Sequence, residues 1–130
     1  MTDAKHPPNL FLNYDITLEE VRAAVNKSKP GKSVGVEEIP NEALKAPSLL
    51  NVPLSLFGFC FNYSVVPSVW YKSIIKPIPK SLGSDLRIPL NYRGISLLST
   101  VYKLYSSILN VRLTRYLETV EYLVDEQNGF

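Results

Sequence analysis

The 130-residue chain has one cysteine and one histidine, and these two shortages remove much of protein chemistry from consideration. Cys60 has no partner for an internal disulfide. Its setting, Leu56-Phe57-Gly58-Phe59-Cys60-Phe61, marks it as a small buried apolar side chain in a reducing compartment rather than a reactive thiol. A zinc site needs clustered Cys and His ligands, which the composition cannot supply. A Ser-His-Asp arrangement is equally excluded, because the lone His6 lies in a polar lead-in. No Asp-Asp pair occurs. Asp3, Asp15, Asp85 and Asp125 fall in four separate segments, so no carboxylates are placed to converge on two metal ions.

Long apolar runs are also missing. Residues 1–15 lack the continuous apolar core of a secretory signal, which makes the N-x-S sequences at Asn26 and Asn62 incidental. The stretch Ala46–Tyr71 carries no charge, but Ser48, Asn51, Pro53, Ser55, Asn62, Ser64 and Pro67 interrupt it. A buried core helix is a better reading than a membrane span, which wants about 20 mostly apolar residues. An intracellular protein without membrane contact is expected.

What the chain does have is a lopsided charge. The overall +2 combines −1 over residues 1–71, +7 over residues 72–115 and −4 over residues 116–130. The middle segment holds Lys72, Lys76, Lys80, Arg87, Arg93, Lys103, Arg112 and Arg115 against Asp85 alone. Clustered cations gain affinity for polyanions by releasing phosphate counterions, although a solvated surface balanced by acidic neighbours would read the same way.

Residues 1–15, with Pro7-Pro8, read as an extended lead-in, and 16–130 as one partial domain. Thr17-Leu18-Glu19-Glu20 has capping-box spacing, and Leu18, Val21, Ala24 and Val25 follow at helical spacing until Pro30-Gly31. Glu19 and Glu20 are then first-turn residues opposing the helix dipole, not a catalytic pair. The run Pro30-Gly31-Lys32-Ser33 lacks the leading glycine of a phosphate-binding loop, since position 26 is Asn26, and it follows a helix rather than a strand. Short and longer helices are expected over Asn41–Lys45 and Leu49–Tyr63. Ser73–Pro79 is β-rich but carries two prolines, which restricts it to an edge. A turn-rich link, Ser81–Leu90, joins it to a second strand, Tyr92–Leu98, making a two-stranded arm with a basic tip from Lys80 to Arg87. Ser99 or Thr100 caps a last helix with apolar residues at 101, 104, 105, 108, 109, 113, 116, 117 and 120, leaving Lys103, Arg112 and Arg115 mostly off that stripe. The fold class is α+β, mainly helical with one antiparallel arm. On that arm Arg93 is the candidate phosphate ligand, with Gly94 beside it permitting close approach; a plain exposed arginine on an edge strand is the alternative.

Several of these pieces, in order, resemble the reverse transcriptases of non-LTR retrotransposons. They are Ile16-Thr17-Leu18-Glu19-Glu20-Val21, Pro30-Gly31-Lys32-Ser33-Val34-Gly35 and Ile39–Lys45; then Val66-Pro67-Ser68-Val69-Trp70 with Ile75–Lys80; then Asn91–Ser99, with Lys103 and Leu109–Leu113; and finally Asp125–Phe130. Two positions depart from the family pattern: Glu37, where aspartate is usual, and Gly94, where proline is common. The resemblance implies the fingers portion of an incomplete right-hand polymerase fold. It implies that Arg93 and Lys80 contact the triphosphate of an incoming dNTP, and that Gln127, Gly129 and Phe130 lie near an RNA template and DNA primer. It further implies that the complete enzyme uses Mg²⁺ on aspartates beyond Phe130, so that this chain binds none and is inactive alone. A non-catalytic RNA- or DNA-binding remnant and a non-functional pseudogene product are the alternatives. The last predicts apolar faces left open, notably at Leu104, Ile108 and Leu117.

Overall fold

Thr17 begins the first helix in the way its spacing predicts. In the computed structural model, which describes residues 9, 12–83 and 85–121, Thr17 Oγ1 accepts from Glu20 N–H at 3.3 Å while Thr17 N–H donates to Glu20 Oε2 at 2.9 Å. Two of the orphan donors of a helix start are satisfied by this exchange. Helix α1 (Leu18–Lys27) buries Val21 and Val25 and ends at Ser28. Gly31, at φ +66°, makes the turn that follows, a conformation glycine adopts without penalty. Helix α2 (Asn41–Leu44) is a single turn.

Helix α3 (Asn51–Tyr63) starts two residues later than the spacing suggests, because Pro47–Leu49 form a 3₁₀ turn first. Pro53 is its third residue, where the missing N–H is one of the unsatisfied donors in any case. Ser64 closes α3 in the left-handed region at φ 53°. The 3₁₀ turn Ser68–Tyr71 then delivers Trp70 to the interior. Strands β1 (Ile74–Pro79) and β2 (Tyr92–Leu97) pair antiparallel, with Ile74 opposite Leu97 and Pro79 opposite Tyr92. Helix α4 (Thr100–Thr119) is capped by Ser99, whose Oγ accepts from Tyr102 N–H at 3.0 Å.

The described residues therefore form an α+β arrangement, with the core between α1, α3 and α4. Val21, Val25, Leu50, Phe57, Cys60, Trp70, Val101, Leu104, Tyr105 and Ile108 are all buried there. Phe57 and Trp70 both pack on the Tyr105 ring, at 5.4 and 5.5 Å between centroids, an aromatic centre that adds to the area each ring buries. Burial pushes the Cys60 thiol pKa up, as expected of an inert core cysteine.

Two expectations about α4 are corrected. Arg112 is not off the apolar stripe: it follows Ile108 by one turn and is only 3% exposed. Leu104 and Ile108 are not left open either, being 4% and 3% exposed within this chain's own core. The apolar stripe stops being buried at Arg112, since Leu113 and Val120 are exposed.

Arg112 is the reason the preceding segment docks. Nε and one Nη2 proton go to the two Glu20 carboxylate oxygens, at 2.7 and 2.8 Å. The remaining protons reach the carbonyls of Leu12, Tyr14 and Asp15, at 3.3, 2.7 and 3.0 Å. All five N–H groups of the guanidinium are satisfied, and it stacks 3.9 Å above the Tyr14 ring. The Glu20 that caps α1 thus also anchors α1 to α4.

Candidate nucleic-acid interface

The two prolines of β1 determine how its arm presents charge. Lys80 N–H donates to Asn91 O at 2.8 Å, so along β1 the N–H groups facing β2 belong to even-numbered residues. Pro77 and Pro79 fall where the N–H would point away from the pair, which is where a strand tolerates proline. Side chains alternate between faces as well. The pairing of Lys76 with Ile95 and of Ile78 with Arg93 places these four side chains on one face. Lys80, paired one step beyond Pro79, continues that face.

Arg93 therefore sits diagonally between Lys76 and Lys80, each roughly 7–8 Å away at Cα by ordinary antiparallel geometry. All three are exposed. No carboxylate pairs with any of them among the described residues. The register brings together Arg93 and Lys80, the two residues singled out from sequence, and adds Lys76 to the same face. Alternation puts Lys76 and Lys80 on one face of β1, but the register that sets Arg93 between them is not written in the local sequence. Among the described residues nothing crowds Gly94: a Cβ there would meet Ile75 Cγ2 at 3.4 Å, an ordinary contact. Gln127, Gly129 and Phe130 lie outside the described residues.

The opposite face of the arm is apolar and folded over by its own tip. Tyr92 O–H donates to Leu86 O at 2.9 Å. With Pro77, Pro89 and Arg87 these residues line a shallow hollow of about 380 Å³. Arg87 is held by Asp85 through N–H and Nε, each at 3.0 Å, and this contact holds the Asp85 carboxyl below its usual pKa range. Of the cations in the basic segment, Arg87 and Arg112 are therefore engaged inside the chain. Lys72, Lys76, Lys80, Arg93, Lys103 and Arg115 are exposed.

No three His, Cys, Asp or Glu side chains gather into a possible metal site among the described residues. Among the same residues no helix is long and apolar enough to cross a membrane.

No family model matches the chain. Two curated proteins of Drosophila melanogaster do. One, "Probable RNA-directed DNA polymerase from transposon BS", is 30% identical over 118 residues, covering 88% of this chain and 13% of that protein. The other, "Probable RNA-directed DNA polymerase from transposon X-element", is 30% identical over 114 residues, covering 85% of this chain and 12% of that protein. The chain thus spans about an eighth of the length of the relatives it matches.

Proposed function

We infer, from a chain related over most of its length to the reverse transcriptases of non-LTR transposons, that this is the fingers part of such an RNA-directed DNA polymerase. The carrying observation is the cationic face of the arm. Lys76, Arg93 and Lys80 stand together and exposed, with no carboxylate paired to them among the described residues. Arg93 presents a planar fork suited to two phosphate oxygens, and a lysine on either side adds a point charge. Such an arm grips the triphosphate of an incoming dNTP and steers template RNA and primer DNA by their backbones. A complete polymerase of this kind draws its Mg²⁺ chemistry from carboxylates. On this reading the purified chain binds nucleic acid and does not extend a primer.

The test is an anisotropy titration of a labelled RNA–DNA primer-template across a salt series, with a parallel extension assay in Mg²⁺ and dNTPs. Arg93→Ala with Lys80→Ala should weaken binding at low salt and reduce the salt slope by about 2, one per lost phosphate contact. Binding that ignores salt, or a double variant that binds like the parent, overturns the role of the arm. Extension by the purified chain overturns the account of its chemistry.

A further inference from the structure

A second cationic feature lies away from the arm face, where α1 ends and α4 begins. Lys27, Lys32 and Lys103 line a hollow of about 260 Å³ with Ser28, Thr100 and Ser107. The three lysines come from three different segments, the end of α1, the loop after Gly31 and the first turn of α4, so only the fold assembles them.

We propose that this hollow is a phosphate site that holds the backbone of a nucleic-acid strand. Like charges brought together without a counter-ion repel, and none of the three lysines has an ion pair among the described residues. Glu42, beside Asn41, accepts from Gly31 N–H at 2.6 Å, so one carboxylate stands next to the lining, a single negative charge against three lysines. The hydroxyl protons of Ser28 and Ser107 go to Val25 O at 2.6 Å and Leu104 O at 2.8 Å, so the ammonium groups are the principal donors left to an anion. The carbonyl end of α1 and the amide end of α4 meet here with opposite partial charges, and the lysines therefore set the sign of the hollow.

A strand, rather than a free phosphate, suits the placement. Strand β2 leads through Leu98 and Ser99 into α4, whose Thr100 lines the hollow, and Arg93 and Thr100 are seven positions apart. That is at most roughly 23 Å of extended chain, which about seven nucleotides at ~3.4 Å rise would span. The proposal does not require the arm to bind a triphosphate.

The experiment titrates the full chain with a fluorescent 12-nucleotide single-stranded RNA across a salt series, comparing Lys32→Gln/Lys103→Gln with Arg93→Ala/Lys80→Ala. The hollow variant should bind at least tenfold more weakly at low salt, with a salt slope shallower by about 1.4, and Lys32→Arg/Lys103→Arg should restore binding. Amide shifts of Ser28 and Thr100 in the parent should move on adding RNA and stay in place in the Gln variant. Parent-like binding by the hollow variant, with weakening only in the arm variant, overturns this proposal and leaves the reading of the arm intact. Weakening only in the hollow variant does the reverse. Equal displacement by inorganic tripolyphosphate at matched charge, with no dependence on RNA length, overturns the assignment to a strand.

Discussion

At the scale of single residues the decisive one is Arg112. Its position one turn after Ile108 makes it part of the buried stripe, yet polarity alone assigns it to the solvent side. Sequence cannot show the exception, because the partners that make burial tolerable are Glu20 and carbonyls 97 to 100 positions away. A planar fork with five donors fits five acceptors; a lysine ammonium brings three and no plane. Arg112→Ala should therefore cost about 3–5 kcal/mol in urea unfolding, since it removes a buried guanidinium and leaves the half-buried Glu20 and three carbonyls without their donors. Arg112→Lys should recover less than half of that loss. A variant within about 0.5 kcal/mol of the parent would mean that the guanidinium adds nothing beyond a surface pair. Glu37 is the opposite case: both its carboxylate oxygens are buried without a hydrogen-bond partner among the described residues. Leaving such a group unmatched costs about 1–3 kcal/mol, so Glu37→Gln should unfold at equal or higher urea than the parent.

At the scale of elements, what was legible is what is local. The capping box of α1, the stop at Pro30-Gly31, the edge character forced on β1 by its prolines and the Ser99 cap each depend on neighbours within a few positions. The structure has all four. The arm was legible as a hairpin with cations, and its register was not, so Lys76 was not grouped with Arg93 and Lys80. Gly35 shows the same limit. It belongs to a recognisable run, but its reason lies across the fold, where the loop after α1 presses on the end of β2. A Cβ at Gly35 would sit 2.5 Å from Leu98 O and 2.6 Å from Ser99 N, both backbone atoms that cannot swing aside. Gly35→Ala should destabilise the chain by about 1–3 kcal/mol, the usual range for overpacking. It should also speed amide hydrogen exchange at Leu98–Thr100, where the arm joins α4. Unchanged exchange there, with unchanged stability, would show that the loop is free to lift off the junction.

At the scale of the whole molecule, the Glu20–Arg112 pair ties the segment before α1 to the middle of α4, and it makes the fold acid-sensitive in a stated window. Burial of Glu20 opposes its ionisation, but the Arg112 hydrogen bonds and the Thr17 N–H outweigh that and lower its pKa from 4.5 to about 2. The folded state thus binds this proton less readily than the unfolded chain. The stabilisation it confers is fully present above pH 4.5 and disappears as pH falls toward 2. A depression of this size corresponds to on the order of 3 kcal/mol. Asp85 and Glu42 are lowered as well, but they stand fully in solvent, and their contribution is common to parent and variant. The comparison that isolates the pair is Glu20→Gln: urea midpoints of the parent should fall steeply from pH 5 to pH 2, while those of the variant start lower and fall less. Parallel pH curves would place the acid sensitivity elsewhere. Curves that converge near pH 2 would show that the half-buried Glu20 carboxylate, held by a guanidinium 92 positions along the chain, governs how this fold meets acid.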